Sequence, residues 1–216
     1  IGISGGIDSF VSSTLCAMTG IKTIVLTMPI KQKTDQHNLS LKHQKWLKDK
    51  FDNVEGYTIS LDELFNSFKS SLSKFDNDQG MANSRARLRM STLYQVASAN
   101  NGIVVGTGNK IEDFGVGFFT KYGDGGVDIS PIADCNKSEV WELGKQLNIL
   151  NEIIEAAPTD GLWEDGRTDE GQLGLSYKEL EEAMNNESSI NREKYLNLRK
   201  ANSHKMEAIP VCKIPK

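Results

Sequence analysis

Ile1-Gly2-Ile3-Ser4-Gly5-Gly6-Ile7-Asp8-Ser9 reads as the end of a strand turning through two glycines into a helix. Ser4, Gly5 and Gly6 let successive backbone N–H groups point into one concavity, and a helix from Ile7 to Thr19 aims its positive end at the same place. Such a pocket suits phosphate. A Walker loop needs G-x-x-x-x-G-K-[ST], yet no lysine follows these glycines, and Asp8 stands where a phosphate-binding cation is expected. An acid beside a phosphate nest makes chemical sense with magnesium between them, because Mg²⁺ is commonly held by one or two carboxylates plus phosphate oxygens. The same residues also fit an ordinary glycine turn with Asp8 in the dipole-favoured first turn of the helix.

The rest of the chain supplies the alternation that such a loop needs. Thr23 to Met28 is a short apolar, β-branched run closed by Pro29, and Val54 to Ile59 is a second. Between them, His37 to Phe51 carries Leu39, Leu41, Trp46 and Leu47 among lysines, as a helix packed on a sheet does. Helices are expected over Leu61–Phe75 and Met81–Ala99, separated by the turn-forming run Asp76 to Gly80. Ile103-Val104-Val105 is the next strand, ending in the loop Gly106-Thr107-Gly108-Asn109. Strand alternating with helix implies an α/β fold with a doubly wound, mainly parallel sheet and helices on both faces, its ligand at the carboxyl ends of the strands. The glycine loop lies at such an end.

At 216 residues, 38% of them hydrophobic, the chain is expected to form one domain over 1–216. The first residue is not methionine and already lies in a strand, so a preceding N-terminal segment is expected. A net charge of −4 argues against a nucleic-acid groove or an anionic membrane surface, and no apolar run approaches the ~20 residues of a membrane span. Cys16, Cys135 and Cys212 are widely spaced with no C-x-x-C pair, which makes reduced thiols and a cytoplasmic setting the default.

Four later features carry chemistry. Arg85, Arg87 and Arg89 cannot share one helix face, since residues two apart lie ~200° apart around it, so at most some reach a ligand. The stretch from Gly117 to Ile129 threads four glycines, two aspartates and a lysine through three aromatics, more special positions than a bland loop needs. Lys137 opens a helix running to about Leu147; a cation there opposes the helix dipole and calls for an anionic partner. Pro158 to Gln172 is long and polar, with Trp163 alone among Gly, Asp, Glu and Thr, and suits either a lid or a disordered connection. Helices over Ser176–Met184 and Ile190–Ser203 close the chain.

The opening loop resembles the S-G-G-x-D-S pyrophosphate loop of the ATP-pyrophosphatase superfamily, whose members cleave ATP between the α and β phosphates and adenylate an acceptor oxygen. That resemblance implies a Rossmann-like fold of the adenine nucleotide alpha-hydrolase type. G-F-F-T-K-Y-G-D-G-G-V-D-I from Gly117, P-T-x-G-L-W-E from Pro158 and T-D-E from Thr168 look like NAD synthetase, and the likeness runs from Gly2 to Lys205. It implies an ammonia-dependent ligase: the nicotinate carboxylate of deamido-NAD attacks the α-phosphate of ATP, pyrophosphate leaves, and ammonia displaces AMP to give NAD.

Position by position, the resemblance gives the ATP phosphates to Gly2, Ile3, Ser4, Gly5, Gly6, Ile7, Asp8 and Ser9, to Thr107, Lys137 and Thr159. It gives Mg²⁺ to Asp8 and Glu112, and deamido-NAD to Arg87, Lys121, Asp128, His204 and Lys205, with Asn83 a further candidate. Asp124 would orient ammonia, so the catalytic set is Asp8, Lys137 and Asp124. A homodimer is implied as well. Thr27 replaces an arginine common in the family, and T-G-N-K-I-E from Thr107 keeps Thr107 and Glu112 while losing the intervening acid and histidine of T-D-H-A-A-E. Two other readings stay open at this point: another adenylating amidotransferase such as a GMP synthetase, and a nucleotide-binding sensor without turnover.

Overall fold

β1 (Thr23–Thr27) is buried along nearly its whole length, and its side chains divide between two cores in the strict alternation of a strand. Val25 joins Ile3, Phe10, Val11, Leu47, Val140 and Ile153 on one face, while Leu26 joins Met28, Ile30, Leu61, Phe65 and Met81 on the other. Helices therefore cover both faces of the sheet. The first core receives α1 (Ile7–Met18), α2 (Thr34–Lys50), α5 (Lys137–Gln146) and α6 (Asn151–Ile154); the second receives α3 (Asp62–Ser71) and α4 (Asp78–Ala99). The computed structural model describes residues 1–159, 161–163 and 167–215.

β1 pairs in parallel with β2 (Val54–Thr58), Thr23 opposite Val54 and Thr27 opposite Thr58. The opening residues extend this sheet through a parallel bridge from Gly2 to Leu26, and a second parallel bridge joins Val105 to Ile129. The α/β arrangement with parallel strands is thus the expected one, with strands shorter than expected. In the run 103–105 Val104 is buried, but Ile103 is 59% exposed.

Some boundaries differ from expectation for identifiable reasons. The polar run 76–80 is not a turn closing α3: a single 3₁₀ turn at Ser73–Phe75 does that, and the Asn77 side chain accepts a hydrogen bond from the Gly80 N–H (2.7 Å), which caps α4 and starts it at Asp78. The loop expected after Gly106 tightens at Lys110–Val116 into a wide π-helical segment, capped by Asn109 at its start and by Gly117 with φ +67° at its end. α2 buries Ser40 and His43 beside Leu47, and leaves Leu41 half-buried.

A third core gathers Ile111 and Val116 of the π-helical segment with Leu173 of α7 (Asp169–Leu173), Leu175, Tyr177 and Leu180 of α8 (Tyr177–Asn185), and Tyr195 of α9 (Arg192–Met206). From α9, Arg199 donates to the Phe114 and Gly115 carbonyls, Asn202 to Val116 and Lys205 to Gly117. Those bonds occupy the carbonyls at the open end of the π-helical segment, where no further turn exists to accept them. Packing and capping together fix the segment that carries Glu112.

Candidate active site

The glycine loop is held by its own hydroxyls. Ser9 Oγ donates to the Gly6 carbonyl (2.9 Å), and the Ser4 N–H and hydroxyl both reach Ser9 Oγ at 3.2 Å. Gly5 takes φ +108°, and a Cβ there would stand 2.8 Å from the Gln36 carbonyl oxygen, so both conformation and space require glycine. This loop forms one wall of a cleft whose other walls come from α4, the 106–108 turn, the 123–127 turn and the start of the 158–172 segment.

Under the loop lies a chain of buried polar contacts. Lys137 Nζ donates to Asp8 Oδ2 at 2.5 Å and to Glu112 Oε1 at 2.9 Å, with only 2% of its side chain exposed. The cation at the helix start does therefore have anionic partners outside its own helix, two of them. Asn109 Nδ2 donates to Asp8 Oδ1 (2.9 Å), while Asn109 Oδ1 accepts from the Glu112 N–H (3.0 Å). The Tyr177 hydroxyl donates to Glu112 Oε1 at 2.5 Å and lies 3.2 Å from Asp169 Oδ2.

The electrostatics follow from one cation shared by two acids out of water. Burial pulls the Lys137 ammonium toward neutrality, but Asp8 and Glu112 overcome it and hold the proton more firmly than in a free lysine. Burial raises both carboxyls and Lys137 lowers both; the balance leaves Asp8 above its ordinary value and Glu112, with Tyr177 as an additional donor, below it. Asp113 is pushed well up, by burial first and then by Asp124, Glu112 and Asp8. Its carboxyl also accounts for Gly108: a Cβ there would sit 1.8 Å from Asp113 Oδ2. The acid absent from the T-G-N sequence thus has a counterpart arriving from five residues further on.

Of the residues expected to contact ATP, all but Gly5 line the cleft. Gly2, Ile3, Ser4, Gly6, Ile7, Asp8 and Ser9 line the cleft with Thr107, Glu112, Lys137 and Thr159, and Asp124 joins them. Asp124 Oδ1 accepts from the Thr120 N–H (2.9 Å), and Thr159 Oγ1 donates to the Arg167 carbonyl (3.1 Å). The residues expected to contact the acceptor do not line this cleft but gather about the 117–128 turn at its edge, where Lys205 feels the charge of the cleft-lining Asp124. Lys121 Nζ donates to the His204 carbonyl (2.6 Å), Lys205 Nζ to the Gly117 carbonyl (2.9 Å), and Arg87 reaches the Lys121 carbonyl with two donors at 3.4 Å. Asn83 accepts from Thr120 Oγ1 (2.8 Å), and Asp128 accepts from Tyr94 (3.1 Å) and from the Val104 N–H (2.7 Å).

The three arginines of α4 separate as the helical geometry requires. Arg85 is buried and donates to the Leu162 carbonyl, Arg87 turns to the 117–128 turn, and Arg89 donates to the Met28 carbonyl (3.0 Å) while lining the cleft. Thr27 faces away, its hydroxyl 2.7 Å from that of Thr58. Of the 158–172 segment, Pro158, Thr159, Gly161 and Leu162 border the cleft, and Arg167 lies over the Trp163 ring at 4.1 Å. The hinge expected at Gly166 lies outside the described residues. Asp113 and Tyr177 take part in the site without having been singled out by sequence, Asp169 appeared there only within the T-D-E run, and Asn109 only as a departure within T-G-N-K-I-E.

The family model described as NAD synthase matches residues 1–212. The NH(3)-dependent NAD(+) synthetase of Alkaliphilus oremlandii is 41% identical over 197 residues, covering 85% of this chain and 75% of the relative. Among solved structures, the NMN synthetase of Francisella tularensis superposes with a TM-score of 0.91 at 35% identity, covering 99% of this chain and 88% of that one. The NH3-dependent NAD synthetase of Campylobacter jejuni, solved with nitrate, gives a TM-score of 0.79 at 26% identity, covering 98% and 87% of the two chains.

Proposed function

The chain belongs to the NAD synthase family, and from that premise we propose that the cleft carries out the ATP-dependent amidation of deamido-NAD by ammonia. The observation that carries this reading is the convergence of the glycine loop, Asp8, Glu112 and Lys137 on one wall of the cleft, with Asp124 beside them. An oxygen of the nicotinate carboxylate attacks the α-phosphorus of ATP as the bond to the bridging oxygen breaks and pyrophosphate leaves. Ammonium gives up one proton to become ammonia, whose lone pair attacks the acyl carbon; the acyl–oxygen bond breaks, AMP leaves with its electron pair, and a second proton lost from nitrogen leaves the amide. The loop amides and Lys137 are placed to balance the charge that develops on the phosphates. Asp124, which lines the cleft, is the residue we assign to orienting the ammonia.

Asp8 and Glu112 are the residues that would hold Mg²⁺. Hard carboxylate oxygens suit it, and Asp8 and Glu112 both line the cleft and share Lys137, so that phosphate oxygens of a bound nucleotide would complete the shell of the ion. When bound, it supplies Lewis-acid stabilisation of the transferring and leaving phosphates. The segment 158–172 is suited to shield the adenylate from water, with Arg85 holding the Leu162 carbonyl over the cleft. Among the described residues no helix is long and apolar enough to cross a membrane; a cytoplasmic setting is part of the proposal. A homodimer is the assembly we propose, with the residues around Lys121 and Asp128 completed by a second copy.

One finding favours a second acceptor: the Francisella tularensis protein that superposes so well is described as an NMN synthetase. The same amidation on nicotinate mononucleotide would need only half of the acceptor site. Pyrophosphate and AMP release from ATP, measured with deamido-NAD and with nicotinate mononucleotide, each with and without ammonium, decides between them. Ammonium-dependent NAD formation matched by pyrophosphate is expected. Release with the mononucleotide alone would transfer the assignment, and release with neither would overturn it.

A further inference from the structure

Two of the donors that reach the Glu112 carboxylate meet on the same oxygen. Lys137 Nζ and the Tyr177 hydroxyl each approach Oε1, at 2.9 and 2.5 Å. Two donors on one oxygen hold a carboxylate in one orientation, and its two oxygens together offer about four lone-pair sites, so room for a ligand remains. Tyr177 is well placed to impose this. It is 1% exposed, its ring meets Trp141 edge-on at 5.8 Å, and the ammonium of Lys137 lies 4.7 Å over its face. One side chain thus touches both Lys137 and Glu112, through its ring and its hydroxyl respectively.

The backbone gives Tyr177 a second fixed point. Its N–H donates to Glu170 Oε1 (2.9 Å), and its hydroxyl lies beside Asp169, so α7, at the end of the 158–172 segment, meets the metal-holding acid through this residue.

We propose that Tyr177 is a positioning residue for the reaction: its hydroxyl orients the Glu112 carboxylate for the divalent cation, and through its N–H on Glu170 it ties that orientation to the segment bordering the cleft. The proposal rests on the reading of Glu112 as a metal ligand. Partners that orient a metal ligand without touching the metal are typically worth 10–100-fold in metal affinity or activity.

Tyr177→Phe tests this, because phenylalanine keeps the ring against Trp141 and under Lys137 and removes only the hydroxyl. Mn²⁺ binding to the protein loaded with a non-hydrolysable ATP analogue, titrated by electron paramagnetic resonance, is expected to weaken about 10–100-fold. In turnover assays the Mg²⁺ requirement should rise by the same factor, kcat should recover at saturating Mg²⁺, and the KM for deamido-NAD should stay within about twofold, well inside that scale. A merely structural hydroxyl would give a kcat that saturating Mg²⁺ does not restore, and that result overturns the proposal. Glu112→Gln, titrated in parallel, separates the two levels. Mn²⁺ affinity lost in Glu112→Gln but unchanged in Tyr177→Phe sinks the role of Tyr177 alone, whereas affinity unchanged in both removes the metal reading with it.

Discussion

Along the floor of the cleft, side chain bonds side chain: Lys137 to Asp8 and Glu112, Asn109 to Asp8, Tyr177 to Glu112. Along the outer rim, charged side chains bond backbone: Lys121 to the His204 carbonyl, Lys205 to that of Gly117, Arg87 to that of Lys121. The floor is buried and mutually constrained, so its groups are fixed before any ligand arrives. The rim holds its cations on neutral acceptors, from which an anionic ligand can draw them at modest cost, since bonds to charged groups are worth more than bonds to carbonyls. Preorganisation on one side and exchangeable partners on the other make the two regions differ in kind as well as in position.

The largest effect that would test this difference is at the floor. Asp8→Asn keeps the shape of the side chain and removes the charge that faces both Lys137 and the proposed cation. Pyrophosphate release should fall below detection while the far-ultraviolet circular dichroism and melting cooperativity stay native. A folded variant releasing pyrophosphate at the wild-type rate would break the metal assignment and with it the idea of a charge-matched floor. Next in size is Lys137→Ala, for which loss of one transition-state donor predicts a ~10²–10³-fold drop in kcat. It also leaves two buried acids without their cation, so a lower melting temperature is expected alongside. A rate within about threefold of wild type, small on that scale, would make Lys137 a purely structural cation.

How far each region was legible follows from how its residues are connected. Gly5, Gly6 and Asp8 could be read because the turn, the helix start and the acid are all local. The partners of Lys137 could be inferred in kind, since a buried cation at a helix start must be paired, but Glu112 lies 25 residues away and Asp8 129, which no periodicity encodes. Asn109 read as a departure from a familiar motif, and its two roles exist only once the π-helical segment brings Glu112 back over Asp8. Tyr177 fell unremarked inside the helix expected over Ser176–Met184; its hydroxyl acquires meaning through a contact 65 residues back. The sheet was recovered because β1 alternates between two cores, while Asn77 was misread because a cap and a turn draw on the same residue types.

At the rim the expected effect is smaller and falls on a different parameter. Lys121→Ala should raise the KM for deamido-NAD by about 10- to 100-fold, the worth of one bond to a charged group, and leave the KM for ATP unchanged. If neither KM moves and only the melting temperature falls, Lys121 serves the His204 carbonyl alone and the rim is scaffold.

The smallest effect concerns what the floor rests on. His43 is fully buried under α1, with Nε2 3.0 Å from Ser13 Oγ and its ring between Phe10 and Trp46. Burial lowers its pKa to about 3 from an ordinary 6.5, so the folded chain keeps it neutral while the unfolded chain protonates it. The unfolded state then binds the extra proton between those two values, and stability must rise with pH across that window and be lost as pH falls through it. The slope from this one group approaches ~1.4 kcal/mol per pH unit, which between pH 7 and 5.5 amounts to roughly 1.3 kcal/mol. Urea unfolding at both pH values, on wild type and on His43→Phe, isolates the contribution, because every other titrating group is common to the two proteins. The wild type should lose about that much more stability than the variant on acidification. Equal losses would mean that His43 titrates alike in both states, and that the helix carrying the phosphate loop is not locked in place by a neutral imidazole.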